Sequence, residues 1–333
     1  MTNKITPSHT APIDEDISNL TDWVELKTIF SDYNAFNLSD LSSLTEEYED
    51  DENIDFSEQD LDNEESYIKV CDEIANRAKT LGDAYPFCFE NNDTEISLHN
   101  SAFNIGQWIY LYCLVISHRK ADTVNITDFS LTNDDRDILQ IASVYAAVGH
   151  IGDAFSFGFP RPENSNFFDA LKNTFTKMGE GSPLNEVRPG YSSAVKDGEV
   201  DIVAWQAMND GLPGKLFLLG QVATGNNWTD KSIIGAMEYF FGAYFSEKPA
   251  SKAIPAMFIP FCIEEQYGGS RHQVMQNHSS RFGIIYYRLR LPYYALIGFN
   301  KPNNFHRKDE SDKIMGFVQQ QLGDQLPDTV CTA

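Results

Sequence analysis

Two short apolar runs separated by one turn-rich break constrain this chain more than any other feature. Residues 200–207 (VDIVAWQA) and 215–222 (KLFLLGQV) are rich in β-branched or aromatic side chains, and residues 208–214 between them hold Asn, Asp, Pro and two Gly. This pattern predicts a β-hairpin. With the loop centred near Gly211, antiparallel pairing sets Asp201 opposite Gln221 on one face of the sheet. Alternation along the strand projects Glu199 and Asp201 together, and Asp197 with them if the strand starts that early. An oxygen-rich cluster of this kind suits Mg²⁺ or Mn²⁺ better than zinc.

The pattern Asp197-Gly198-x-x-Asp201 on a strand, followed by an apolar strand ending in Gln221, resembles the PD-(D/E)xK nuclease superfamily and, within it, the Mrr-like restriction endonuclease branch. In that branch the Asp-Gly closes a turn, the second Asp binds the metal, and the next strand carries Gln or Glu, one residue, then Lys. Asp197, Gly198, Asp201 and Gln221 match residue by residue, whereas Ala223 stands where the lysine belongs. The resemblance spans residues 164–245, roughly a quarter of the chain. It implies an α/β (α+β) fold with a restriction-endonuclease-like mixed sheet flanked by helices. It also implies a Mg²⁺- or Mn²⁺-dependent DNA endonuclease in microbial restriction or anti-phage defence, with Asp201 and Gln221 as metal ligands and Glu199 in support.

A phosphodiester hydrolase needs an acidified water and a cation near the phosphate. With Ala223 in the lysine position, Lys231 is the substitute this sequence offers. Thr229 is placed to cap a helix starting at Asp230, which would set Lys231 in the first turn. A lysine gains nothing from the helix dipole there, and open backbone N–H groups beside it would suit a phosphate. The same residues allow a plainer reading. Asp-Gly is a common turn, Glu199 and Asp201 could form a solvated strand edge, Gln221 could bond backbone, and Lys231 could be an ordinary surface lysine. Trp228 is expected in the core or docking a helix.

Charge divides the chain. The net charge of −24 opposes general nucleic-acid affinity, which depends on cations that release counterions. Yet residues 46–65 hold twelve acidic and no basic side chains, whereas residues 267–308 hold seven basic and no acidic ones, Arg271, Arg281, Arg288 and Arg290 among them. The basic stretch is a candidate phosphate track. The acidic one is expected to be disordered or weakly helical. It either solubilises the chain or folds back over the basic region as a mimic of DNA.

Three regions follow: an acidic, largely disordered N-terminal region with one docked helix (1–66), a helical region (67–160), and a nuclease-like domain with a basic C-terminal part (161–325). Helices are predicted over 67–81, 102–118, from Asn133 through Ala147, and over 167–178. A buried strand is expected within 253–263, and 286–291 could be strand or helix. His272 and His278 are expected at the surface or in contact with phosphate, the plain surface reading being favoured. Five scattered cysteines fit reduced thiols, with no zinc spacing. There is no apolar leader or membrane-length run, which gives a cytoplasmic expectation, and no Walker, Rossmann or serine-hydrolase signature. The expected partners are DNA and a protein of a defence complex, with a homodimer as a further option. The alternative function is a nuclease-like fold without catalysis, serving as a binding or regulatory subunit. A chance likeness of the hairpin is the third reading.

Overall fold

Contacts divide the chain at Ser130 rather than at the boundaries suggested by composition. A computed structural model describes residues 5–9, 11–12, 16–41, 56–90, 94–118, 124–125, 131–158, 161, 165–191 and 198–326. It forms two compact units, Met1–Ser130 with Met315–Ala333, and Leu131–Ile314.

The first unit begins with β1 (Thr6–Pro7) and α1 (Ile17–Phe30), followed by β2 (Ala35–Asn37) and α2 (Phe56–Leu81). It continues with β3 (Phe87–Glu90), β4 (Glu95–Leu98), α3 (Ile105–His118) and β5 (Val124–Asn125). Strands β2, β4 and β3 form an antiparallel sheet in that order, and β1 pairs with β5. The carboxylate of Asp16 starts α1 by accepting from Ser18 N at 2.7 Å. Apolar side chains surround α3, which is buried at every residue except Ser117. Helix α1 is the docked helix expected near the N-terminus. The acidic run is already helical from Phe56, while residues 46–55 lie outside the described residues, and so does any test of their folding back.

Polar groups at the centre of this unit are closed on one another. The fully buried Arg77 of α2 donates from Nε to Glu73 and from Nη1 to Glu25, each at 3.0 Å. It also pairs with Asp22 and reaches the carbonyl of Ser18 at 3.1 Å. The hydroxyls of Tyr85 and Tyr110 donate to Glu25 at 2.8 Å, and His118 pairs with Asp22. One guanidinium thus offsets three carboxylates that burial would otherwise penalise heavily.

The second unit runs α4 (Asn133–His150), β6 (Asp153–Ser156), α5 (Phe167–Met178), β7 (Ser182–Pro183), β8 (Ile202–Trp205) and β9 (Phe217–Val222). Then come α6 (Ile233–Tyr244), β10 (Phe245–Glu247), β11 (Ile254–Phe258), α7 (Arg271–Phe282), β12 (Ile284–Tyr286) and α8 (Leu291–Phe299), with α9 (Ser311–Leu322) beginning beyond them. Five strands form a mixed sheet in the order β12-β11-β9-β8-β6. Strands β6, β8 and β9 are antiparallel neighbours, while β11 and β12 continue parallel to β9. The β8–β9 hairpin pairs Ile202 with Gly220 and Trp205 with Phe217, a register centred on Gly211 as the sequence predicts.

Helices cover both faces of the sheet. On one, Val203, Trp205, Phe217 and Leu219 pack with Leu171 and Phe175 of α5 and with Phe240 and Phe241 of α6. Farther along that face Met257 and Ile285 meet Trp228 and the α7 residues Val274 and Phe282. The other face carries α4, which meets α8 at backbone contact. A Cβ on Gly149 would fall on the carbonyl of Tyr294, and one on Gly298 on the carbonyl of Tyr145. Thr132 and Asp135 close a capping box at the start of α4. Both α4 and β6 therefore belong to the sheet unit and not to a separate helical region. No described helix is long and apolar enough to cross a membrane.

Candidate functional site

Asp201 sits where three strands meet. Its carbonyl accepts from Phe157 N at 2.6 Å and Gly158 N at 3.0 Å just beyond β6, and its own N–H donates to Gly220 of β9 at 2.9 Å. The carboxylate Oδ2 accepts from Val222 N at 2.8 Å, taking a place that a backbone carbonyl would fill in a longer ladder. Asp201 thus ends the hairpin with its side chain fixed beside the strand that carries Gln221.

Gln140 of α4 enters this region from the helix side of the sheet. Its Oε1 accepts from Ser156 Oγ at 3.0 Å, and the residue is 7 % exposed. A Cβ on Gly158 would fall 2.5 Å from both Asp201 Oδ1 and Gln140 Oε1, so the bare glycine keeps open the space those oxygens share. Gln221, by alternation, projects with Leu219 and Ala223 toward the opposite face. Its Oε1 is buried without a hydrogen-bond partner. An unsatisfied buried amide oxygen costs about 1–3 kcal/mol, and such groups are rare unless a water or ion completes them.

The remaining site expectations fare differently. Glu199 is not on the strand. It and Gly198 both take positive φ, 66° and 64°, which makes a tight turn and ends the alternation that would have aligned Glu199 with Asp201. Asp197 lies outside the described residues. Thr229 does not cap a helix, because residues Asn226–Asp230 form a 3-10 turn and α6 begins only at Ile233. Lys231 follows that turn in extended backbone and is exposed, and none of the described carboxylates pairs with it. Ala223 explains why a lysine is missing two residues past Gln221: it is 1 % exposed among Trp228, Met257 and Ile285, where an ammonium would be buried without a partner.

The basic stretch does not form one exposed row. Arg281 is exposed, but Arg288 is 1 % exposed and turned inward, donating to Cys262 Sγ at 3.1 and 2.9 Å. That takes Arg288 off any surface phosphate track. Arg290 donates to the carbonyl of Ile285 at 3.1 Å and lies over the Tyr287 ring, while Arg271 opens α7 and is partly buried. His272 is exposed as expected. His278 is not: it is 8 % exposed, packed edge-on to Trp228, whose ring also meets Phe282. Its spacing of four from both Val274 and Phe282 was the available signal of an inward-facing helix position. Gln140 was missed for the opposite reason, since it hides inside an apolar run and carries no motif.

Among the described residues, no group of three His, Cys, Asp or Glu side chains converges as a metal centre. The expected placement of Asp201 and Gln221 on one face is not met: the Asp201 carboxylate lies beside Gln140 of α4, whereas the unsatisfied Gln221 carboxamide oxygen lies on the opposite face. The Asp201 carboxylate by itself suits a hard cation which keeps several waters and binds through one protein oxygen, and it does not suit zinc. Fold and site together define a mixed α/β domain with a polar strand end. No protein-family model matches the sequence, and no curated protein or solved structure is significantly similar to it.

Proposed function

We propose that residues 131–314 form a restriction-endonuclease-like domain that hydrolyses phosphodiester bonds of DNA with Mg²⁺ or Mn²⁺. The observation that carries this reading is Asp201, anchored at the end of β8 by Val222 N with its Oδ1 in the space that Gly158 leaves beside Gln140. Asp201 would hold the cation, which would supply an acidified water and polarise a phosphoryl oxygen, while Gln221, on the opposite face of the sheet, would not share it. Gln140 limits the freedom of the Asp201 carboxylate through the space shared at Gly158. Lys231, exposed on the loop that leaves β9, is in a position to meet a phosphate only once DNA is bound. A role in microbial restriction or anti-phage defence, with a protein partner, rests on the resemblance of the Asp197-to-Gln221 pattern alone.

One observation favours a second reading, a nuclease-like subunit that binds without cutting. Lys231 pairs with none of the described carboxylates, and the usual lysine position is an apolar seat filled by Ala223. Cleavage of plasmid and linear DNA at low salt with Mg²⁺ or Mn²⁺ separates the two. The intact protein is expected to cut, and Asp201→Ala and Lys231→Ala to lose cutting. DNA binding without cutting supports the second reading, and cutting that survives Asp201→Ala removes the site.

A further inference from the structure

A cavity opens beside this strand end, and its chemistry differs from that of the Asp201 region. The chain leaving β9 turns through Asn226–Asp230 to form one wall. Helix α7 forms the floor with residues 273, 274, 277, 278 and 281, which lie on one helical face, and the turn at 266–269 forms the rim. The cavity measures about 430 Å³, within the range of small-ligand sites.

Its lining is selective in three respects. Among the described residues around it, Arg281 is the sole charged side chain, and no carboxylate faces it, in a chain of net charge −24. Arg281 has no ion-pair partner among the described residues, and its guanidinium lies over the ring of Phe282, with its carbon centre 5.1 Å from the centroid. Carboxamides of Asn226, Gln266 and Asn277 surround the opening, each able both to donate and to accept.

Two aromatic groups complete it. Trp228 is buried in the wall, whereas Tyr267 at the rim is fully exposed and held at φ 54°, a conformation that a non-glycine residue adopts at a cost. The strained turn presents a bare phenol ring at the mouth. Deeper in, His278 is more than nine-tenths buried, and its Nδ1 lacks any hydrogen-bond partner. Burial and the nearby Arg281 lower the His278 pKa, which leaves the ring neutral near pH 7. A single unpaired cation, carboxamides of both hydrogen-bonding senses, an exposed ring and an unsatisfied imidazole together suit a ligand with one anionic group and one planar, polar-edged ring.

We propose that this cavity binds one nucleotide unit, its phosphate on Arg281, its base stacked on Tyr267 and the base edge read by the carboxamides around His278. Stacking on an exposed aromatic ring tolerates any base, and a guanidinium is the preferred partner of a phosphate. The unit can come from a free mononucleotide or from a nucleic-acid strand, and the same chemistry serves both. The cavity is separate from Asp201, so nucleotide binding here stands or falls independently of cleavage.

Calorimetric titration of the full chain in EDTA, where metal-dependent hydrolysis plays no part, tests this. The probes are 5′-AMP, 5′-dCMP, a thymidine tetranucleotide and inorganic phosphate. At least one nucleotide probe is expected to bind at least tenfold more tightly than phosphate. Tyr267→Ala and Arg281→Gln, both at exposed positions, are each expected to weaken that binding about tenfold. Binding of a mononucleotide identifies a free nucleotide as the ligand, and binding of the tetranucleotide alone identifies a strand. No binding, binding of phosphate equal to that of the nucleotides, or unchanged affinity in both variants overturns the proposal.

Discussion

The Arg77 cluster and the β9 end of the sheet bury polar groups in opposite ways. Around Arg77, every described member of the cluster is matched by another: three carboxylates, a guanidinium, two phenols and an imidazole, almost wholly removed from solvent. In the sheet unit, Gln221 Oε1 and His278 Nδ1 are buried with no partner, next to the partly exposed Asp201 and the exposed Arg281. A saturated network has no valence left for a ligand and specifies packing. An unsaturated one has given up stability and keeps hydrogen-bonding capacity for something that arrives later. Conspicuous chemistry is therefore a poor guide to a ligand site, because the densest ionisable cluster among the described residues is a closed one.

The largest test of this contrast is Arg77→Met. Removing the guanidinium leaves Asp22, Glu25 and Glu73 buried without their shared cation, and the expected loss is about 3–5 kcal/mol in urea denaturation. A loss below about 1 kcal/mol would mean the cluster is not the closed structural device described here.

The next effect is pH-dependent and belongs to the sheet unit. His306 stacks on Phe155 with centroids 3.8 Å apart, and its Nδ1 accepts from Ser156 N at 3.1 Å. Burial first, then Arg307 and Lys177, pushes its pKa down to about 4 from 6.5. The folded state therefore holds the ring neutral in a range where the unfolded chain takes up a proton. Its contribution is complete above pH 6.5 and lost as the pH falls toward 4. The expected loss over that interval is on the order of 2 kcal/mol. His306→Gln should flatten that part of the stability profile, and an unchanged slope would exclude His306 as its source.

Smaller still is the stability effect of Asp201→Asn, expected to stay within about 1 kcal/mol because the amide oxygen can still accept from Val222 N. Cleavage, by contrast, should disappear. A large stability loss here would place Asp201 with the Arg77 cluster and erase the contrast between the two regions. Lys231→Ala should leave thermal unfolding unchanged, since the side chain is exposed and pairs with no described carboxylate.

Local pattern carried much of the sheet unit. Apolar alternation around a turn located the β8–β9 hairpin and its register, and the predicted span of α5 matches the observed Phe167–Met178. Pattern failed where tertiary pairing decides the outcome. Strand β6, only four residues long, is recruited by β8 from an aromatic, glycine-rich stretch with no strand signature of its own. Glu199 looked like a strand residue, but only backbone geometry reveals the left-handed turn that removes it. Arg288 and His278 looked like surface residues because charge and polarity say nothing about which way a side chain faces. Gln140 and Asp201 border the same space beside Gly158 although about sixty residues of sequence separate them, a distance no local spacing can encode.

The bare contact between Gly149 and Gly298 has a genetic consequence. Helix α4 carries Gln140 to the strand end, and α4 can lie where it does because neither glycine presents a side chain to the facing backbone. One added methyl group at either position must push the helices apart and draw Gln140 away from Asp201. A library of random variants selected for loss of the proposed cleavage should therefore return these two glycines beside Asp201 itself. A descendant of this protein could then be silenced by a single carbon atom placed where nothing reacts.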